Sequence, residues 1–191
     1  MKRIAIFASG SGSNAENIAH YFESNPEVEI SIILSNKTDA FVLERAKKLN
    51  IPSQTFTRND FYETASIVNL LKEKQIDLIV LAGFLWLVPD SLIKAYSDAI
   101  INIHPALLPN YGGKGMYGMN VHKAIIANKE KESGITIHVV NEKYDDGETI
   151  LQAKCQIEEN DTAEDLANKI HELEYEYFPR AVEEYLNKIK K

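Results

Sequence analysis

The sequence predicts an α/β fold: a parallel sheet with helices on both faces, continued by a mixed, antiparallel C-terminal part and a long terminal helix. Three observations predict it. Near-continuous apolar runs at residues 4–8, 30–35, 78–82 and 100–104 have the length and β-branched content of strands buried on both faces. Between them lie stretches with apolar residues at helical spacing, and strands alternating with helices make a parallel sheet. After residue 109 the alternation gives way to two β-rich stretches, 133–140 and 150–157, with no helix between them.

Each element follows from the local pattern. The first strand, 4–8, runs into the turn Ser9-Gly10-Ser11-Gly12-Ser13-Asn14 and a helix over 15–22. The second, 30–35, is followed by a helix over 41–49 and a weaker strand near 53–57. One helix over 60–74 leads to the strand 78–82, and a helix over 89–95 leads to the strand 100–104. Pro105 and Pro109 stop that strand and hold Ala106, Leu107 and Leu108 in a rigid turn. A glycine-rich loop through Gly118, a short helix over 121–128, the two β-rich stretches with an Asp145-Asp146-Gly147 turn between them, and a helix over 163–185 complete the chain. The whole reads as one domain, 1–191, with a Rossmann-like phosphate-binding half (1–104) and a C-terminal part (105–191) that completes the site.

Composition bounds the function. A chain of 191 residues buries roughly 70% of its unfolded surface on folding. With 45% hydrophobic and 26% charged residues it is ordinary globular material. Its 21 basic and 28 acidic residues give a net charge of −7, which disfavours a nucleic-acid partner. Cys155 has no second cysteine to pair with and reads as a buried, inert thiol in a strand. The apolar run after Lys2 and Arg3 is too short for a signal peptide or a membrane helix, so no membrane partner and a cytoplasmic location are expected. The oligomer is expected to be a monomer or a homodimer.

Chemistry concentrates in three places. Asn102 and His104 stand two apart at a strand end, so their side chains leave the same face about 6 to 7 Å apart. One donates hydrogen bonds to an oxygen that gains charge, and the other exchanges protons near neutral pH. The Gly10–Asn14 turn, ahead of a helix N-terminus, reads as a monophosphate site or as a plain tight turn. It lacks the third glycine of a dinucleotide fingerprint and has no Walker lysine. Asp145 lies in a turn at the rim of the sheet, within reach of a histidine on the neighbouring strand, although an Asp-Asp-Gly sequence by itself is usually only a turn. The five histidines, His20, His104, His122, His138 and His171, have no ligand spacing, so no metal is expected.

The motifs Ala82-Gly83-Phe84, NIHPALLPNY (102–111), GITIH (134–138) and Asp145-Asp146-Gly147 together resemble the folate-dependent formyltransferase superfamily. GSGSN (10–14), SNKTDAFVLERA (35–46) and ELEYEYFP (172–179) narrow the resemblance to the phosphoribosylglycinamide formyltransferases, over essentially the whole chain. That resemblance implies transfer of a formyl group from 10-formyltetrahydrofolate, as co-substrate, to the amine of a small phosphorylated substrate in purine synthesis. It implies catalysis by Asn102, His104 and Asp145, with Asp145 raising the histidine pKa and relaying a proton through water. It assigns the phosphorylated substrate to Gly12, Ser13, Asn14, Pro105 and Glu174, and the folate to Leu85, Trp86, Leu87, Val88, Asn102, Asn141 and Asp145. Without the resemblance, Glu174 reads as a solvated position on an acidic helix.

The sequence departs from the family pattern in three places. Trp86 stands where members carry a basic residue, and it either packs on the pteridine or benzoyl ring or covers the core. Arg58 is only a candidate for the folate tail. The loop YGGKGMYG (111–118) is longer and richer in glycine than other versions, and it reads as a lid in which Lys114 contacts phosphate or nothing. His138 is expected to be either a partner of the catalytic groups or a structural residue. Formylation of an amino sugar nucleotide or of another amine uses the same triad and stays an alternative, as does a non-catalytic nucleotide-binding module.

Overall fold

A computed structural model describes residues 1–189. Its strands are β1 (Lys2–Phe7), β2 (Val28–Ser35), β3 (Ser53–Thr55), β4 (Leu78–Leu81), β5 (Ile100–His104), β6 (Glu132–Val139) and β7 (Thr149–Gln156). Its helices are α1 (Ser13–Phe22), α2 (Phe41–Lys48), α3 (Arg58–Tyr62), α4 (Ser66–Glu73), α5 (Asp90–Ala95), α6 (Met119–Ala127) and α7 (Ala163–Lys188). The strands form one seven-stranded sheet in the order β3-β2-β1-β4-β5-β6-β7. From β3 to β5 all pairs are parallel, and β6 and β7 add antiparallel to that edge. This is the α/β architecture the sequence predicts, including the mixed C-terminal part.

The apolar runs are near-continuous because both faces of the sheet are covered. Ile4 and Ile6 of β1 pack with Ile18 of α1 and with Phe178 and Val182 of α7. Ala5 and Phe7 point the other way, into a cluster with Phe61 of α3, Leu71 of α4 and Leu92 of α5. Strand order reverses at β1, where β2 lies on one side and β4 on the other, and such a switch point opens a crevice at the carboxyl ends of the strands.

Two expectations are corrected. The single helix over 60–74 is two helices, α3 and α4. The hydroxyls of Thr64 and Ser66 both donate to the Asp60 carbonyl, at 3.2 Å each, competing with the backbone for the acceptor that would continue the helix. Cys155 is only half-buried, because β7 is the sheet edge, yet burial still raises its thiol pKa and keeps it protonated and inert.

α7 carries Pro179 in its interior. Proline has no N–H for the carbonyl four residues back, and that Tyr175 carbonyl accepts the side-chain amide of Asn17 instead, at 2.9 Å. The proline thus ties α7 to α1 beside the site. Among the described residues no helix is long and apolar enough to cross a membrane.

Candidate active site

One cavity of about 760 Å³ lies at the switch point. It is lined by the turn after β1, the loop after β4, the end of β5, the glycine-rich loop ahead of α6, the Asp145 loop and one face of α7. Gly12, Ser13, Asn14, Leu85, Trp86, Leu87, Val88, Asn102, His104, Pro105, Asp145 and Glu174 all line it. Asn141 does not; its side-chain oxygen accepts the Lys143 N–H at 2.9 Å and shapes the turn before Asp145.

At one end the chain enters α1 through Gly12, whose φ of 73° is left-handed and which leaves the helix N-terminus without a side-chain cap. A Cβ there would also collide with Val42, the first turn of α2 being held close by the Val42 N–H to Gly10 carbonyl bond of 3.1 Å. Free amides and the helix dipole therefore face the cavity, a setting for a phosphate. Ser9 braces the loops instead of facing a ligand. Its hydroxyl donates to Asn36 at 2.7 Å and accepts the Leu85 N–H at 3.0 Å, fixing the β1 and β4 loops together. Beside the turn, Glu174 is buried, 6% exposed, and accepts from Asn14 at 2.9 Å. His171 lies 2.9 Å from the same oxygen, and this bond raises the imidazole pKa against the opposing effect of burial. The solvated position expected from pattern alone is thus a desolvated, paired carboxylate.

The centre is built on β5 and β6. Asn102 is opposite His138 in the antiparallel register, and His104 is opposite Thr136. His138 donates from Nδ1 to the Val139 carbonyl at 2.9 Å, so in its neutral form Nε2 accepts the Asn102 amide at 3.1 Å. This aims Asn102 and leaves its second N–H unclaimed. His104, 4% exposed, donates from Nε2 to the Tyr111 carbonyl at 2.7 Å, which leaves Nδ1 facing Asp145 at 3.5 Å. His138 Nε2 lies 3.6 Å from the other Asp145 oxygen. Asp145 adopts a left-handed φ of 53°, tolerable for Asp, and also accepts the Gly113 N–H at 2.9 Å.

Burial drives the His104 pKa down, and the Asp145 charge opposes this without overcoming it. Asp145 does raise the His104 pKa, as expected, but the net direction is downward, because desolvation of a ring enclosed by β6 and the 105–111 turn outweighs the single charge. Burial also pushes Asp145 up, but the neighbouring His138 side chain, the His104 ring and the Gly113 N–H together hold it below the ordinary carboxylate range. The resting pair is a neutral imidazole beside a carboxylate.

The turn after β5 is stitched down by two side chains. Thr136 donates to the Ala106 carbonyl at 2.7 Å and accepts the Leu108 N–H at 3.0 Å, while Gln152 of β7 reaches the Leu108 carbonyl and the Thr136 hydroxyl at 2.9 Å each. Leu108-Pro109 is a cis peptide.

The other end of the cavity is apolar. Trp86 lines it and also packs in a cluster with Phe56, Phe61, Tyr62 and Phe84, at ring distances of 5.9 to 6.3 Å. The reading of Trp86 as a cover for the core is met by this cluster. Arg58 stacks over Tyr62 at 4.9 Å and Trp86 at 5.7 Å but is not part of the lining. Lys114 lines the cavity, and so do His122, His171, Lys143 and Tyr144, which sequence reasoning did not single out. None of these four forms a motif; only their elements' packing brings them in.

Residues 2–182 match the formyl transferase family. The phosphoribosylglycinamide formyltransferase of Bacillus subtilis is 37% identical over 97% of this chain and 95% of its own length. The chloroplastic enzyme of that name from Arabidopsis thaliana is 38% identical over 95% of this chain, which spans 64% of that relative's length; for the Vigna unguiculata counterpart the share is 60%. The crystal structure of phosphoribosylglycinamide formyltransferase from Bacillus halodurans superposes with a TM-score of 0.88 at 39% identity, covering 99% of this chain and 97% of that one.

Proposed function

Because the chain belongs to the formyl transferase family, we propose that it transfers the formyl group of 10-formyltetrahydrofolate to the primary amine of 5-phosphoribosylglycinamide. The products are formylglycinamide ribonucleotide and tetrahydrofolate, and the reaction is a step of purine synthesis. One observation carries the reading. Asn102, His104 and Asp145 converge in a cavity that is also lined by an uncapped helix N-terminus and by an apolar, aromatic loop.

The phosphate lies against Gly12, Ser13 and Asn14, and Glu174 accepts hydrogen bonds from the ribose hydroxyls. The flat pteridine fits the 85–88 loop, where Trp86 and Val88 offer faces and the main chain offers donors and acceptors to the ring edge. Attack of the amine on the formyl carbon makes an oxyanion and a cationic nitrogen. The free N–H of Asn102 meets the oxyanion, an interaction of about 3 to 4 kcal/mol in the transition state. The neutral His104 takes the amine proton at Nδ1, and the imidazolium so formed is ion-paired at once with Asp145. The proton then passes to the leaving folate nitrogen as the carbon–nitrogen bond breaks.

The test is turnover: the protein with both substrates, followed by the absorbance of deformylated folate. Turnover with phosphoribosylglycinamide is expected; turnover only with an amino sugar nucleotide, or none with any amine, overturns the reading.

A further inference from the structure

Among the described residues, four polar or charged side chains both line the cavity and are buried: His104, His122, His138 and Glu174. The proposed reaction employs three of them, directly or through Asn102. It also leaves one polar group of the substrate unaccompanied, the secondary amide that joins ribose to the aminomethyl arm.

His122 is the fourth residue of α6, in the turn that follows the glycine-rich loop. It is 4% exposed, and its Nδ1 is buried with no hydrogen-bond partner. Asn14, at the same end of the cavity, carries the same feature: its side-chain oxygen is buried and unpartnered. An enclosed polar atom without a partner is costly, and two of them beside one cavity mark where a ligand or water completes the bonding. His122 lies within electrostatic reach of Glu174 and His171 on α7 and of His104 on β5. Its ring therefore stands between the ribose end and the amine end. Burial favours the neutral ring, which carries one donor and one acceptor, the complement of an amide.

Resting on the proposed reaction, we infer that His122 is a substrate-binding residue that hydrogen-bonds the secondary amide of phosphoribosylglycinamide and so sets the span between its ribose and its attacking amine. A substrate whose amide is missing or displaced then loses register with Asn102 and His104.

The experiment compares the wild type with His122→Phe, which keeps a ring and loses both nitrogens, and His122→Asn, which keeps hydrogen bonding. Steady-state kinetics give KM for each substrate, and competition gives Ki for ribose 5-phosphate, which has the phosphate and ribose but no amide. For His122→Phe the KM for phosphoribosylglycinamide rises about tenfold or more, the size of one neutral hydrogen bond. The folate KM and the ribose 5-phosphate Ki stay within twofold, and His122→Asn recovers part of the loss. Unchanged KM in both variants, or a ribose 5-phosphate Ki that rises in step, overturns the inference while leaving the reaction standing. If His122→Phe does not fold, His122→Asn decides: a glycinamide KM raised a few-fold with the ribose 5-phosphate Ki unchanged supports the contact, and no rise overturns it. A wild type with no turnover of phosphoribosylglycinamide overturns the reaction and this inference with it.

Discussion

At His104 two effects oppose each other, and their balance decides which proton-transfer role the resting residue can take. Burial lowers its pKa and the Asp145 carboxylate raises it, with burial the larger. His104 is therefore expected to titrate below the ordinary histidine range, followed by imidazole NMR, and Asp145→Asn to lower it further by removing the larger of its two raising influences, the other being the Tyr111 carbonyl bond. An unchanged or raised value in Asp145→Asn would show that the carboxylate does not act through charge. In linkage terms, a base whose folded pKa is depressed binds fewer protons than when unfolded, so this site's contribution to stability is lost as pH falls through the ordinary histidine range. Asn102→Ala is expected to lower kcat by about 10²- to 10³-fold while leaving both KM values within a few-fold, as loss of one oxyanion donor does; equal loss in KM would make Asn102 a ground-state contact. The pair Asn102 and His104 is legible in the sequence because a strand alternates and the two stand two apart. The direction of the His104 pKa is not, since the enclosure that lowers it comes from β6, over thirty residues away in the chain. Glu174 and His122 are hidden for a similar reason: each sits on a helix whose pattern says amphipathic and nothing about what α6 and α7 enclose between them.

The elements that hold these residues depend on single local devices. Gly12 serves both as a left-handed helix entry and as the point of closest approach to Val42, so Gly12→Ala strains the backbone and pushes α2 away. Backbone strain of this kind costs about 1 to 3 kcal/mol, and the turn that presents the helix amides is expected to distort with it. The measurement is KM for the phosphorylated substrate, expected to rise about tenfold or more with the folate KM little changed; a purely thermal effect with normal KM would deny the turn its binding role. Thr136→Val keeps shape and deletes the hydroxyl that holds Ala106 and Leu108, leaving buried backbone groups short of partners. Denaturant unfolding is expected to show a loss of about 1 to 3 kcal/mol, and kcat is expected to fall because the turn also carries the Tyr111 carbonyl that orients His104. The strands and most helices were legible because they repeat apolar residues with the right period. The break between α3 and α4 was not, since it turns on which donor wins the Asp60 carbonyl, and a Thr or Ser in a helical pattern does not announce that competition.

Over the whole molecule, the site lies across the seam between residues 1–104 and 105–191, yet the seam is not a domain boundary in energetic terms. β5 and β6 pair across it in a single sheet, and one apolar cluster joins Ile4, Ile6 and Ile18 to Ile135, Ile137 and Phe178. Neither half can bury its own face of that sheet alone, because α7, from the end of the chain, covers β1 from its beginning. The chain is therefore expected to unfold as one cooperative unit, with calorimetric and van't Hoff enthalpies equal; two separable transitions would show the halves to be independent. The same geometry fixes how ligands act. On the proposed reading a substrate bound in the cavity meets the β1 turn, β5 and α7, all of which line it, and is expected to stabilise both halves and not one loop. If the proposed reaction holds, phosphoribosylglycinamide at about a hundredfold its Kd is expected to add about 2.7 kcal/mol, which for a chain of this size raises the single Tm by about 5 to 11 °C. A shift in only part of the unfolding signal would mean that the phosphate end and the catalytic centre belong to different folding units, and that the cavity does not couple them.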